Sequence, residues 1–130
     1  MDSSIWDIDN CFSHPNKILS VHIKEIKYFF NELLNFYDIK VSDEIKDLIE
    51  KVIELHDIGK CRKEFQDYIR GKENTSKGNH SIWSLEEIYK NFDKLNINKQ
   101  LLQLLIFLVL KHHSNLSLSF EKSRDILSKI

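Results

Sequence analysis

Residues 42–60 read SDEIKDLIEKVIELHDIGK. Ser42 carries the hydroxyl an N-cap needs, an oxygen able to accept a backbone N–H from the first helical turn. Ile45, Leu48, Ile49, Val52 and Ile53 then recur at the i, i+3, i+4 spacing of one helical face. The pattern predicts a helix with one buried stripe, and Gly59 marks where it stops. His56 lies four residues after Val52, on the core side, and Asp57 follows at once. The inner end of a buried face therefore carries an imidazole beside a carboxylate.

Helical periodicity continues on both sides of this stretch. Asn16 is placed to cap a helix running to about Tyr37, with Ile18, Ile26, Phe29 and Leu33 on one stripe. A short helix is predicted over 62–70, with Phe65, Tyr68 and Ile69 inward and Gly71 as its stop signal. Residues 71–79, GKENTSKGN, are polar and hold two Gly, which predicts a loop. A fourth helix runs from about Ser81 to Phe92, with Ile82, Leu85, Tyr89 and Phe92 on one side. The fifth begins near Asn98 and is apolar nearly all round through Leu110, the pattern of a central helix surrounded by others. Ser119 is placed to cap a last amphipathic helix bearing Phe120, Ile126 and Leu127. The expected fold is all-α: one globule of about six helices around a central apolar helix, occupying 1–130 as a single domain or as a C-terminally truncated fragment of one.

Composition agrees. A chain of 130 residues has one domain as its prior. Hydrophobic residues make up 42%, which excludes a disordered tail. With 19 basic against 20 acidic residues the net charge is −1, unlike a polybasic nucleic-acid binder that draws its affinity from excess Lys and Arg. Three Gly, one Pro and no Ala leave too few turn formers for an all-β sandwich. Cys11 and Cys61 fall in no metal or redox motif and read as thiols of a reduced, cytoplasmic protein. The acidic start MDSSIWDIDN lacks the basic and apolar regions of a signal peptide. The apolar run 101–110 is far shorter than the roughly 18 residues of a membrane span.

Five of the six histidines sit on, or just beyond, an apolar helical face. His22 is four residues from both Ile18 and Ile26. His56 follows Val52. His80 opens the fourth helix, and His112 and His113 lie four residues after Leu108 and Val109. His14, before Pro15, has no such placement. One inward His is ordinarily a hydrogen-bonded core residue. Five on four helices each need partners for two ring nitrogens, which core stripes do not supply. A shared metal site satisfies them together, because neutral imidazole is a common metal ligand and helices project ligands inward. Asp57 adds an oxygen ligand able to bridge two cations. Two ions about 3.5–4 Å apart suit the hydrolysis of phosphate esters. Imidazole-plus-carboxylate ligation fits a divalent transition metal such as Mn, Fe, Co, Ni or Zn, with Mg less at home among nitrogens.

Lys60, just beyond the His-Asp pair, is placed to neutralise a phosphate or else to be a solvated surface residue. Ser81 is placed to hydrogen-bond a substrate or to cap its helix. Trp83 and Tyr68 could stack a base, with core packing as the alternative.

The string Leu55-His56-Asp57-Ile58-Gly59-Lys60 resembles the signature of HD phosphohydrolases. Added to it are His22 upstream, Phe65-Gln66 after the Gly-Lys, His80-Ser81 with Ser84, and His112-His113 ending an apolar helix. This order is similar to the HD nuclease domain of CRISPR-associated Cas3 proteins, either the separate subunit or the N-terminal part of the fused nuclease-helicase. The resemblance covers about residues 18–116. It implies a first metal held by His22, His56 and Asp57, with Asp57 bridging to a second held by His80, His112 and His113. It implies metal-dependent endonuclease cleavage of single-stranded DNA in the cytoplasm, on a strand fed by a partner Cas3 helicase within the CRISPR interference complex, an antiviral defence. Asp57 and Lys60 would be the catalytic residues, with Lys60 and Ser81 toward the substrate. HD sites normally add a last Asp downstream of the paired His, and here the only Asp after His113 is Asp125. Two other functions fit the same residues: an HD phosphohydrolase acting on nucleotides, and a degenerate, non-enzymatic HD module.

Overall fold

The computed structural model describes residues 5–71 and 80–111. A small antiparallel hairpin comes first, β1 (Phe12–His14) and β2 (Lys17–Ile18), with Phe12 opposite Ile18 and His14 opposite Lys17. Five helices follow: α1 (Leu19–Phe36), α2 (Asp43–Leu55), α3 (Lys63–Ile69), α4 (His80–Lys90) and α5 (Lys99–Lys111). A 3-10 turn, Ile58–Cys61, joins α2 to α3, and another, Phe92–Lys94, precedes α5. The all-α class holds. The expected last helix, with Ser119, Phe120, Ile126 and Leu127, lies outside the described residues. No helix among the described residues is long and apolar enough to cross a membrane.

The helix α2 forms as its sequence dictates. Ser42 Oγ accepts from the Ile45 amide at 3.3 Å, and the helix ends at Leu55 with His56 as its cap. Its C-terminal half lies between two apolar clusters. Leu55 packs with Trp6, Ile58, Leu85, Ile88, Leu102, Leu105, Ile106 and Val109. One residue back, Ile53 packs with Cys11, Leu19 and Ile23. Lys27 and Glu54 pair at 2.5 Å and tie α1 to α2.

Several faces turn away from the expected stripes. On α1 the buried residues are Leu19 and Ile23, with Ile26 and Phe30 half-buried, while Phe29 and Leu33 face solvent. The stripe is rotated by one residue because the hairpin and α2 cover only that side. On α4 the inward set is Ser81, Ser84, Leu85 and Ile88, so Ile82 (46% exposed) and Tyr89 (57%) lie outside. On α2, Ile45 is exposed. The apolar α5 is not enclosed all round among the described residues: Leu102, Leu105, Ile106 and Val109 are buried, whereas Leu101, Leu104 and Leu108 are exposed. Only the i, i+3, i+4, i+7 stripe is covered.

The start of α1 is also corrected. Asn16 lies in the hairpin turn and caps nothing; Ile18 is the N-cap residue, with no side-chain cap. The first amides are satisfied by backbone instead, Leu19 N–H donating to the Cys11 carbonyl at 2.7 Å and Ser20 N–H to the Ile8 carbonyl at 3.0 Å. The same approach overturns the reading of the two cysteines as thiols. Cys11 and Cys61 are joined in a disulfide, their Cα atoms 5.2 Å apart, a separation ordinary for such bonds. Fifty positions apart in sequence, they carry no local signal of pairing.

The two described glycines do different things. Gly71, at φ +75°, ends α3 by donating to the Tyr68 carbonyl at 3.0 Å, as its sequence position predicts. Gly59 is not a helix terminator, since α2 has already ended at Leu55. It is where the 3-10 turn presses on α4: a Cβ there would collide with the His80 carbonyl and the Ser84 amide. Gly59→Ala must therefore push backbone from backbone and should cost about 3 kcal/mol. Gly71→Ala meets open space and pays only for its left-handed backbone, about 1 kcal/mol. Urea unfolding of both variants checks this, and equal midpoint shifts would contradict the close-approach account.

Candidate metal centre

Asp57 follows the end of α2 and is 3% exposed. A carboxylate removed from water needs partners of positive or donating character, and four side chains supply them. Its Oδ2 lies 3.1 Å from His56 Nε2, 3.4 Å from His22 Nε2 and 3.3 Å from Lys60 Nζ. Its Oδ1 lies 3.3 Å from His80 Nε2. His22 comes from α1, His56 from the end of α2, Lys60 from the 3-10 turn and His80 from the first residue of α4.

Local bonds hold these elements in place. Ser84 Oγ accepts from the Gly59 amide at 2.7 Å and donates to the His80 carbonyl at 2.8 Å, so one hydroxyl locks the 3-10 turn to the start of α4. Gln66, on α3, spans the hairpin and the turn. Its Oε1 accepts from Phe12 N–H at 2.9 Å, and its Nε2 donates to the Phe12 carbonyl at 3.0 Å and the Lys60 carbonyl at 2.5 Å. Lys60 Nζ also donates to the Ser13 carbonyl at 3.1 Å and stands 5.5 Å from the Phe65 ring centroid. Lys60 is thus a buried, paired cation and not a solvated surface residue.

The protonation pattern of His56 follows from its neighbour. Its Nδ1 is 2.6 Å from the Ile53 carbonyl oxygen, which can only accept, so Nδ1 carries the hydrogen. Nε2 then faces a carboxylate oxygen, an arrangement that needs a second proton or a shared cation between them. Charge-assisted hydrogen bonds are ordinarily about 2.7–2.9 Å. Two donors sharing an ion at about 2.1 Å and roughly 90–109° stand roughly 3.0–3.4 Å apart. The separations here, 3.1, 3.3 and 3.4 Å, fall in the second range, and so does the 3.3 Å from Lys60 Nζ, which is a plain ion pair. Donor atoms of His22, His56 and Asp57 all lie within 4.8 Å of one another, so this trio could hold a cation. Its nitrogen-plus-carboxylate donors suit a divalent transition metal. The bond from His56 Nδ1 to a backbone carbonyl is the outer-shell contact that fixes a ligating imidazole.

Burial pushes the His22 imidazole below its ordinary value, an effect that Asp57 partly opposes and that His56, His14 and Lys60 add to. Its neutral, ligating form is therefore favoured.

Of the residues singled out in sequence, His22, His56, Asp57, Lys60 and His80 converge. Ser81 is buried in the first turn of α4. Tyr68 and Trp83 are half-buried; Tyr68 meets the Phe65 ring at 6.0 Å and Arg62 lies 5.7 Å from the Trp83 ring. His112, His113 and Asp125 lie outside the described residues. The residue passed over is His14, whose ring centroid is 4.9 Å from that of His22. No helical period could have found it, because a hairpin brings it there.

Two outcomes follow. Without metal, Asp57→Asn leaves the Lys60 ammonium buried without its counter-charge and should cost about 3–5 kcal/mol. Adding Lys60→Met should recover part of that loss in chemical denaturation, and a double variant no more stable than the single would refute the pairing. The folded-state value of His22 lies below its unfolded one, so the unfolded chain takes up the proton first. Acidification through and below the ordinary imidazole value of 6.5 therefore favours unfolding, and His22 contributes its stability above that window. Thermal melts from pH 8 to 5 should show His22→Gln less acid-sensitive than wild type; superimposable profiles would count against this.

The chain matches no protein-family model, no curated protein and no solved structure. The geometry around Asp57 is what any functional reading has to rest on.

Proposed function

We propose that this chain is a metal-dependent HD nuclease of the Cas3 type, hydrolysing phosphodiesters of single-stranded DNA in CRISPR interference. The observation that carries the reading is the convergence of three imidazole Nε2 atoms and one lysine on a single buried carboxylate, with the donor atoms of His22, His56 and Asp57 within 4.8 Å of one another. Their sequence order, His22, His56-Asp57, Lys60, His80, is that of the resemblance.

His22, His56 and Asp57 Oδ2 would hold one divalent ion. Asp57 Oδ1 reaches toward His80, which with His112 and His113 would hold the second. Such ions, among Mn, Ni, Co, Fe or Mg, supply water activation and charge neutralisation at phosphate. The protein's own part is positioning. Asp57 orients both sides of the centre through its two oxygens. His56 is fixed by Ile53. Lys60 holds a positive charge beside the carboxylate, where it balances a phosphate that displaces part of its present pairing. The near-neutral chain lacks the basic excess of a strong duplex binder, which favours a strand delivered by a partner helicase. In the cytoplasm, the proposed setting, disulfides are uncommon, so the Cys11–Cys61 bond is a distinctive feature of this chain.

The test uses the whole chain with Mn, Ni or Co and labelled single- and double-stranded DNA. Single strands should be cut far faster. Asp57→Asn should lose more than about a hundredfold in rate together with bound metal. Lys60→Met should lose about a hundredfold while keeping its metal. Hydrolysis of free nucleotides without DNA cutting would replace this reading with the phosphohydrolase one. Metal binding without any turnover would leave the non-enzymatic module.

A further inference from the structure

We propose that the Cys11–Cys61 disulfide is a redox latch, opened reversibly by a dithiol reductant, that holds the β1–β2 hairpin over the Asp57 cluster. The inference concerns access to that cluster, and only its first support draws on the setting of the proposed function.

The first support is the bond itself in that setting. Where disulfides occur in cytoplasmic proteins they are usually transient and redox-responsive rather than permanent staples. The two sulfurs are also unequally placed. Cys11 is buried with Leu19, Ile23 and Ile53, whereas Cys61 is only partly buried. A reductant therefore meets Cys61. Its thiolate attacks Cys61 Sγ, the S–S bond breaks and Cys11 leaves as the thiolate. The second thiol of the reductant then attacks the mixed disulfide, and Cys61 leaves in turn. Two electrons pass to the chain, the reductant is left as a disulfide, and its two protons end on Cys11 and Cys61. A Cys11 thiol suits the apolar surroundings it already has, because it packs as a small hydrophobe.

The second support is what the bond joins. Cys61 closes the 3-10 turn that contains Lys60 and follows Asp57 directly, and Cys11 directly precedes β1. The hairpin meets the cluster at two points. The Ser13 carbonyl accepts from Lys60 Nζ at 3.1 Å, and the His14 ring stands against His22 with centroids 4.9 Å apart. Lys60 and Asp57 are both buried. The hairpin is thus part of what separates Lys60 and His22 from solvent.

The third support is what remains once the bond is broken. A two-stranded hairpin is marginal by itself. This one would keep the bonds between Phe12 and Gln66 and between Ser13 and Lys60, each of small net worth. It would lose the closure of a loop spanning fifty positions. The larger apolar cluster includes no residue of 11–18, so the helices around it stay packed. Reduction therefore acts locally: the hairpin opens more often, and Lys60 and His22 become accessible to an anionic ligand.

The experiment uses the intact 130-residue chain without added metal, either oxidised or treated with excess dithiothreitol under native conditions. Alkylation and mass spectrometry count the thiols. Hydrogen exchange is followed over residues 11–18, and acylation of Lys60 Nζ is followed by peptide mapping. Both rates should rise about tenfold or more on reduction, with circular dichroism unchanged, and oxidised glutathione should reverse the change. Cys61→Ser should show the fast rates without reductant and no response to it. The latch is overturned if oxidants fail to form the bond, or if the bond resists dithiothreitol until the chain is unfolded. It is equally overturned if reduction collapses the helical circular dichroism, or if both rates are the same in the two states. None of these readings involves metal or DNA, so a working latch on a chain that cuts nothing would sink the nuclease reading alone.

Discussion

A carboxylate buried as deeply as Asp57 cannot be left alone in a protein interior. Everything near it is arranged around that requirement. One helix brings His22, the next ends in His56, a tight turn supplies Lys60 and a fourth segment begins with His80. The turn can approach α4 closely enough only because position 59 has no side chain. The apolar clusters on both sides of α2 supply the stability against which this polar cluster is assembled. Without the carboxylate, the three imidazoles and the lysine lose their common partner.

What the sequence made legible depends on how local the cause is. The cap at Ser42, the position of His56 and Asp57, and the stop at Gly71 follow from neighbours within a turn or two, and they were readable. Which side of a helix is covered depends on distant segments. Phe29 and Leu33 satisfy the same periodicity as Ile26 yet face solvent, because α2 and the hairpin cover the other side of α1. Ile82 and Tyr89 exchange places with Ser84 and Ile88 for a similar reason: a small residue was needed where Gly59 presses in. A periodicity rule prefers the larger apolar residue and cannot see that contact.

Least legible was the N-terminal segment. Nothing in 11–18 has helical period, and its partners, Gln66, Lys60 and Cys61, are fifty or so positions away. Hairpin, disulfide and His14 are one event, the folding of that segment against the turn after Asp57. Reading any one of them from sequence required knowing the other two. The helix-borne histidines beside Asp57 were therefore visible, and the His14 ring that the hairpin sets against His22 was not.

The disulfide has a topological consequence. Cys11 and Cys61 close a covalent ring spanning fifty positions, and His14, His22, His56, Asp57 and Lys60 all fall inside it. In the unfolded, oxidised chain these groups remain tethered within one loop, so much of the closure entropy of bringing them together has already been removed. Their effective concentration stays high before any helix forms.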